Sequence, residues 1–439
     1  MSHEYDVTII GAGILGASLA FWLSEKLDAR IAIIDREKKP ALHASGRNTG
    51  VIHRPFHLDP ARRRISALAS NASYAFWKEL SSRYSLPWRQ VGTLKVALED
   101  RDLAVLEKYL RWGEENGMDR EEMELLSGSE VLEIEPEVRC PGALLIKSEA
   151  SVDFALYAEK LVELSISNGA RFLGGLRVTR ISEQGEGVEI LVTNGGKTTR
   201  IRSRMLINAA GGESLDLARQ LGLGREYAVL FFRGDYWRVS QDSGLRIGRN
   251  IYSVPRHAGF PFLDPHFIVR HDGSNDVGPN AVPVLGPYAY KGFSESLARA
   301  VKTVFGKPLY PKLRLVFNRE FLSLAYSEWM STLSKRAMAS RVARFIPRLK
   351  HQMLVERIPG GVRSQVISSS GIMHDPVILV GGRSIHVINY NSPGATGAPG
   401  FAAYIYRLAE EKGFIEGFKK RQPMHGDLID VVEKRLDLL

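Results

Sequence analysis

Cysteine is almost missing from this chain: Cys140 is the single one among 439 residues. That excludes an intramolecular disulfide and any cluster of thiolate metal ligands, and it points to folding in a reducing compartment, with the cytoplasm as the expected location. Long apolar runs are missing too, since no stretch approaches the ~20 residues that a membrane span needs. Met1 to Val7 carries Glu4 and Asp6, and the apolar run behind it is interrupted by glycines, unlike the basic-then-apolar order of a secretory signal. A soluble or peripheral protein is expected. The H-E-x-x-H, EF-hand and G-x-S-x-G patterns are also lacking, so neither a metal site nor a serine nucleophile is predicted. Composition does not suggest disorder, because 44% of residues are hydrophobic and 25% charged, enough for two or three lobes with cores.

What is present begins at the N-terminus. Tyr5 to Ile10 is a β-branched run suited to a buried parallel strand, and Gly11-Ala12-Gly13-Ile14-Leu15-Gly16 follows at once. Ala17 to Lys26 has helical spacing of apolar residues, and Ile31 to Ile34 is a second strand ending at Asp35. In such a βαβ unit Gly11 makes the tight turn, Gly13 lets a pyrophosphate approach the backbone, and Gly16 lets the helix pack on the sheet. Unpaired N–H groups at the helix start face the phosphates, and Asp35 is placed to accept from ribose hydroxyls. A lone G-x-G-x-x-G is weak, whereas strand, turn, helix, strand and acid in register are specific for a dinucleotide.

Downstream segments decide between FAD and NAD. Arg204 to Gly212 is an apolar strand ending in small residues, and it looks like a second flavoprotein fingerprint returning the chain to the cofactor. Val377 to Val380 reads as another buried strand. Asn391-Ser392-Pro393-Gly394-Ala395-Thr396-Gly397 then leads into a helical stretch from Phe401 to Glu411. Such a loop resembles the one whose N–H groups and helix dipole stabilise negative charge on reduced isoalloxazine, so FAD is the expected cofactor.

With these segments the chain resembles the D-amino-acid-oxidase-like flavoprotein superfamily, and within it the L-2-hydroxyglutarate dehydrogenases and oxidases, from about Tyr5 to about Glu411. The most specific stretch is His43-Ala44-Ser45-Gly46-Arg47-Asn48-Thr49-Gly50-Val51-Ile52-His53. Supporting it are Gly92 to Ala97, Arg233-Gly234-Asp235-Tyr236, Gly278 to Val282, Gly361 to Gln365 and His386 to Thr396. The resemblance implies an α/β fold, α+β in the substrate lobe: a Rossmann-like FAD-binding domain interleaved with a mixed or antiparallel β-sheet substrate domain. It implies cofactor contacts from Gly11, Gly13, Ile14, Leu15, Gly16, Asp35, Arg36, His43, Ser45, Gly46, Asn48, Thr49, Gly50, Val51, Val178, Ala210, Gly211, Gly394, Ala395 and Thr396. His43 stands in a context that carries covalent flavin in some superfamily members; a noncovalent contact is the preferred reading here. One departure is the stretch Arg54-Pro55-Phe56-His57, where relatives have small residues and tyrosines, and it bears on the substrate.

The implied reaction is oxidation of a small 2-hydroxy acid to the 2-oxo acid, with amino acids, malate and glycerol 3-phosphate as alternative substrates. It requires a base for the hydroxyl proton and cations for the carboxylate. His53 is the first candidate base, with hydrogen bonding to FAD as its alternative role; His386 is second. His266, in Phe262-Leu263-Asp264-Pro265-His266, ranks third as a base and is also a candidate for substrate contact. Arg363 is the preferred carboxylate anchor because a planar guanidinium matches a carboxylate. Arg54 is either a second anchor or a solvent-facing arginine. Arg233 is either a substrate contact or half of a structural ion pair, and Tyr252 either covers the pocket or belongs to the core.

By the same resemblance, 1–85, 145–225 and 355–415 form the FAD-binding domain, 86–144 and 226–354 the substrate domain, and 416–439 a C-terminal tail in which Leu428, Val431, Val432 and Leu436 have helical spacing. Charge is concentrated in 297–357, which holds thirteen basic residues against three acidic ones and so carries the whole net charge of +10. Around Lys335 to Lys350, Met338, Val342, Phe345 and Ile346 alternate with arginines. This is either a basic amphipathic helix on an anionic membrane, suited to a peripheral dehydrogenase that reduces a quinone, or a surface helix whose stripe faces the core. Oxygen and a redox protein are the other electron acceptors considered. No RNA-binding motif accompanies the charge, so no nucleic-acid partner is expected.

Overall fold

The computed structural model describes residues 3–185, 187–256 and 264–436. Its cofactor side is an eight-stranded sheet in the order Arg177–Gln184, Gly187–Asn194, Lys197–Asn208, His3–Ile10, Ile31–Asp35, Arg171–Gly174, with Val377–Val380 and Ser384–Asn389 joined to the end of Lys197–Asn208. The strands nearest the first glycine turn run parallel, Ile9 pairing with Ile207 on one side and Ile33 on the other. Helix Ile14–Lys26 is buried along nearly its whole length, because helices Phe154–Ser167 and Gly394–Glu411 pack on it. A helix apolar on every side belongs inside a core.

The second sheet has ten strands, mostly antiparallel, and its longest pair is Ala228–Val239 against Leu354–Ser368. Leu354–Ser368 therefore belongs to this second sheet, although 355–415 was expected in the FAD-binding domain. Its register along Ala228–Val239, from Ile367 opposite Ala228 to Leu354 opposite Val239, fixes its place. A third, three-stranded sheet joins Val51–Ile52 and Trp88–Arg89 through Ala150–Val152. The segment beyond residue 416 is integral to the fold, since helix Gly426–Leu436 buries Leu428, Ile429, Val432 and Leu436 in the same core as helices Ile14–Lys26 and Arg64–Tyr84.

The segment 335–350 does not present its apolar stripe outward. Helix Lys335–Val342 buries Met338, Ala339 and Val342, and Phe345, Ile346 and Leu349 join them in the core of the second sheet. Arg341 pairs with the buried Glu328 at 2.8 Å. Of the two readings of this segment, the structure shows the surface helix whose stripe faces the core: the stripe covers the sheet. Among the described residues no helix is long and apolar enough to cross a membrane. Residues 257–263, including Phe262 and Leu263 of the His266 motif, lie outside the described residues.

Candidate active site

One elongated cavity runs between the two sheets, from the first glycine turn to the start of helix Gly394–Glu411. At its first end Gly11, Gly13, Ile14 and Leu15 form the wall. Gly11 has φ of 100°, and a Cβ there would lie 2.5 Å from the Ala209 carbonyl, so two backbones meet where no side chain fits. A Cβ on Gly13 would meet Ser45 Oγ at 2.9 Å, and that hydroxyl accepts from the Ile14 N–H at 2.9 Å. Asp35 accepts from the Ala12 and Glu37 N–H groups at 2.6 and 2.8 Å, while burial raises its pKa. Each carboxyl oxygen keeps a lone pair for a ribose hydroxyl.

In the middle, Arg36 lies over the Tyr288 ring at 4.2 Å. His43 is held at both ring nitrogens, by the Tyr290 hydroxyl at 2.8 Å and Glu37 at 3.0 Å, and burial lowers its pKa. With both nitrogens engaged, a noncovalent role suits it. Val51, Asn48, Thr49, Val178, Ala210 and Gly211 complete this wall. Asn48 shapes its own turn, donating to the Ser45 carbonyl and accepting from the Gly50 N–H, both at 2.8 Å.

At the far end stand Gly394, Ala395 and Thr396, with His53, Arg363, Tyr236, Tyr390 and Asn391 around them. Thr396 Oγ1 accepts from the His53 N–H at 2.9 Å, which ties the two motifs together across the cavity. Neither helix start, at Gly13 or at Pro393, has a hydrogen bond from its own N-cap side chain. Two helix N-termini therefore open on one cavity, each favouring negative charge. A glycine cradle for a pyrophosphate at one end and a second helix dipole some way along fit FAD.

His53 is supported from behind. Its Nδ1 lies 3.4 Å from Glu149, a fully buried carboxylate that also accepts from the Arg54 N–H at 2.8 Å and Thr93 Oγ1 at 2.5 Å. Arg363, on strand Leu354–Ser368, is buried, which pushes its pKa down to about 10. It stays cationic at neutral pH.

Several expectations are corrected. His386 is outside the cavity wall: it is wholly buried in its strand, with Nδ1 on the Asn208 amide at 2.9 Å and Nε2 on Ser384 at 3.0 Å, and burial lowers its pKa to about 4. Arg54 points away from the cavity because Glu122 holds it at 3.0 Å and the Tyr74 ring lies under it at 4.3 Å. The Tyr252 and His266 rings lie 3.9 Å apart at a tilt of 33° and form buried backing for His53, Tyr252 meeting it edge-on at 5.7 Å. Gly16, Gly46 and Gly50 act through space for backbone and not as cavity wall. Added Cβ atoms there would lie 1.8, 2.3 and 2.4 Å from the carbonyls of Gly11, Ala41 and Val152. For Arg233 the structure bears out the second of its two readings, since it is half of a buried ion pair with Asp235 at 3.0 Å.

Sequence reasoning missed Glu149, Tyr236, Tyr288, Tyr390 and Asn391. Tyr236, Tyr390 and Asn391 lie inside the motifs named above and were within reach, whereas Glu149 and Tyr288 stand at no diagnostic spacing.

The arrangement has relatives. The family model described as DAO, FAD dependent oxidoreductase, matches residues 6–408. L-2-hydroxyglutarate dehydrogenases of Salmonella houtenae and Escherichia coli (strain K12) are 31% and 30% identical to the chain, each over 91% of it and 92% of their own length. The mitochondrial one of Caenorhabditis elegans is 29% identical over 92% of both chains. Among solved structures, L-alpha-glycerophosphate oxidase from Mycoplasma pneumoniae with FAD bound has a TM-score of 0.73 at 20% identity, covering 97% of this chain and 98% of that one. Glycine oxidase from Geobacillus kaustophilus has a TM-score of 0.68 at 17% identity, covering 96% and 100%. Both likenesses concern the fold. With a glycine cradle, two helix N-termini and a family match along nearly its whole length, the chain belongs to the DAO family of FAD dependent oxidoreductases.

Proposed function

We propose that the enzyme oxidises L-2-hydroxyglutarate to the 2-oxo acid. What supports this reading is that His53 and Arg363 line the same cavity as the start of helix Gly394–Glu411, in a chain whose relatives bear that activity in their names. FAD, when bound, supplies the acceptor for the C2 hydride. Arg363 binds the carboxylate adjoining C2, its guanidinium offering two parallel N–H groups. His53 takes the hydroxyl proton: Glu149 faces Nδ1, which leaves Nε2 for the substrate and favours the imidazolium once formed. Burial pushes the Tyr236 hydroxyl up to about 12, so it stays protonated and able to donate. Electrons then pass to an external acceptor.

The test is anaerobic mixing of the holoenzyme with L- and D-2-hydroxyglutarate, malate, glycerol 3-phosphate and amino acids. Bleaching of the flavin absorbance by L-2-hydroxyglutarate in preference to the rest is expected. Bleaching by an amine or by glycerol 3-phosphate alone sinks the proposal.

A further inference from the structure

Three neighbouring strands of the second sheet bury polar side chains in one row. Lys95 stands opposite Tyr252 where Thr93–Val96 pairs with Asn250–Ser253, and the pairing of Ile251 with Phe267 sets Tyr252 beside His266. The residues next to them, Leu94, Val96, Ile251 and Phe267, fill the core on the far face of the sheet. Strand alternation therefore turns Lys95, Tyr252 and His266 to the other face, where Tyr252 meets His53.

The row carries a charge without an ion-pair partner. Lys95 is 7% exposed, and among the described residues its ammonium makes no hydrogen bond or ion pair, only a contact over the Tyr252 ring at 5.8 Å. Burial lowers its pKa to about 8, so it is mainly cationic at neutral pH. The carboxylates whose charge reaches it are engaged elsewhere. Glu149 accepts from Thr93 Oγ1 and the Arg54 N–H, and Asp264 from the Arg256 N–H at 3.2 Å, with Arg341 at 3.7 Å. Close by, the Nδ1 atoms of His57 and His266 are buried and have no hydrogen-bond partner among the described residues. Burial pushes both pKa values well down, so each neutral ring has one N–H to donate. Buried charges are ordinarily paired and buried polar atoms ordinarily bonded. Three that are neither, beside the candidate base, suit an anion.

We propose that Lys95, flanked by His57 and His266, binds the second carboxylate of a substrate whose first carboxylate is held by Arg363, and so selects dicarboxylic over monocarboxylic 2-hydroxy acids. The inference rests on the proposed oxidation of L-2-hydroxyglutarate and deepens it by naming what reads the far end of the acid. His53 belongs both to the cavity wall and to this cluster, its ring 6.2 Å from His57 and 5.7 Å from Tyr252. An acid with its hydroxyl at His53 thus has its far end within reach of the row, and four methylenes let the Lys95 ammonium follow it. Arg63 is the competing cation: its Nε is also unpartnered, and its charge lowers the pKa of both Arg363 and His57. Its Nη2, however, already donates to the Ser392 carbonyl at 2.6 Å, whereas the Lys95 ammonium is uncommitted.

Oxidised holoenzyme is titrated with glutarate and with pentanoate, unreactive five-carbon acids that differ in the second carboxylate, and binding is read from the flavin spectrum. Wild type is expected to bind glutarate roughly 10- to 100-fold more tightly. Lys95→Met removes an unpaired buried charge at similar volume and should fold; in it the preference for glutarate is expected to vanish. Equal affinities in wild type overturn the proposal, as does a Lys95→Met variant that still prefers glutarate. A preference kept in Lys95→Met and lost in Arg63→Gln moves the second carboxylate to Arg63 and overturns it too. Neither acid is oxidised, so the outcomes stand apart from the reaction. Bleaching by L-2-hydroxyglutarate without a glutarate preference defeats the subsite alone. A preference that Lys95→Met abolishes, in an enzyme that L-2-hydroxyglutarate does not bleach, supports the subsite and defeats the substrate reading.

Discussion

Replacing Glu149 separates what that carboxylate does for the fold from what it does for His53. It is fully buried and accepts from the Arg54 N–H and Thr93 Oγ1 besides facing His53 Nδ1. In Glu149→Gln the amide oxygen keeps the Arg54 N–H, and the Thr93 hydroxyl can turn to accept from the amide nitrogen. Only charge assistance is lost, about 1–2 kcal/mol of stability. Glu149→Ala strands both donors in the interior at roughly 1–3 kcal/mol each, so about 4 kcal/mol in total. For catalysis the two variants should agree. Without the carboxylate the His53 imidazolium loses about 1–2 kcal/mol of stabilisation, which slows flavin reduction roughly 5- to 30-fold. Urea unfolding and rapid-mixing flavin reduction on FAD-loaded protein measure the two effects. A Gln variant that reduces flavin at the wild-type rate refutes the coupling of Glu149 to His53.

Gly16→Ala should lower both the FAD content and Tm, because its methyl would lie 1.8 Å from the Gly11 carbonyl and overpacking against backbone costs about 1–3 kcal/mol. Gly426→Ala, with nothing within 4 Å of its added Cβ, should stay within about 0.5 kcal/mol of wild type, and equal losses in the two would contradict the packing explanation. His386 gives a pH signature. Its folded pKa of about 4 lies below the unfolded value of about 6.5, so its contribution is fully present above pH 6.5 and is lost as pH falls toward 4, by at most about 3 kcal/mol. His386→Asn should flatten that part of the stability–pH curve in urea titrations, while a curve as steep as wild type would show that other groups carry it.

The βαβ unit was legible because its physics is local: glycine spacing, β-branched strands and a terminal acid lie within about thirty residues. Long-range partnerships were not. Nothing near Arg54 announces Glu122, which holds it from 68 positions away. His53 and His386 both adjoin flavin motifs, and only the direction of the side chain separates them. Strand Ser384–Asn389 is buried at every position, so no inside–outside alternation marks the face to which His386 belongs. The stripe from Met338 to Ile346 has the same spacing whether it meets lipid or a β-sheet, and the sheet decided it.

The central claim is that His53 takes the substrate proton in this cavity, and rapid anaerobic mixing of FAD-loaded His53→Asn with L-2-hydroxyglutarate tests it most directly. A folded protein with full flavin content is expected, its reduction slower by roughly 10²–10⁴-fold. Reduction at the wild-type rate would contradict it.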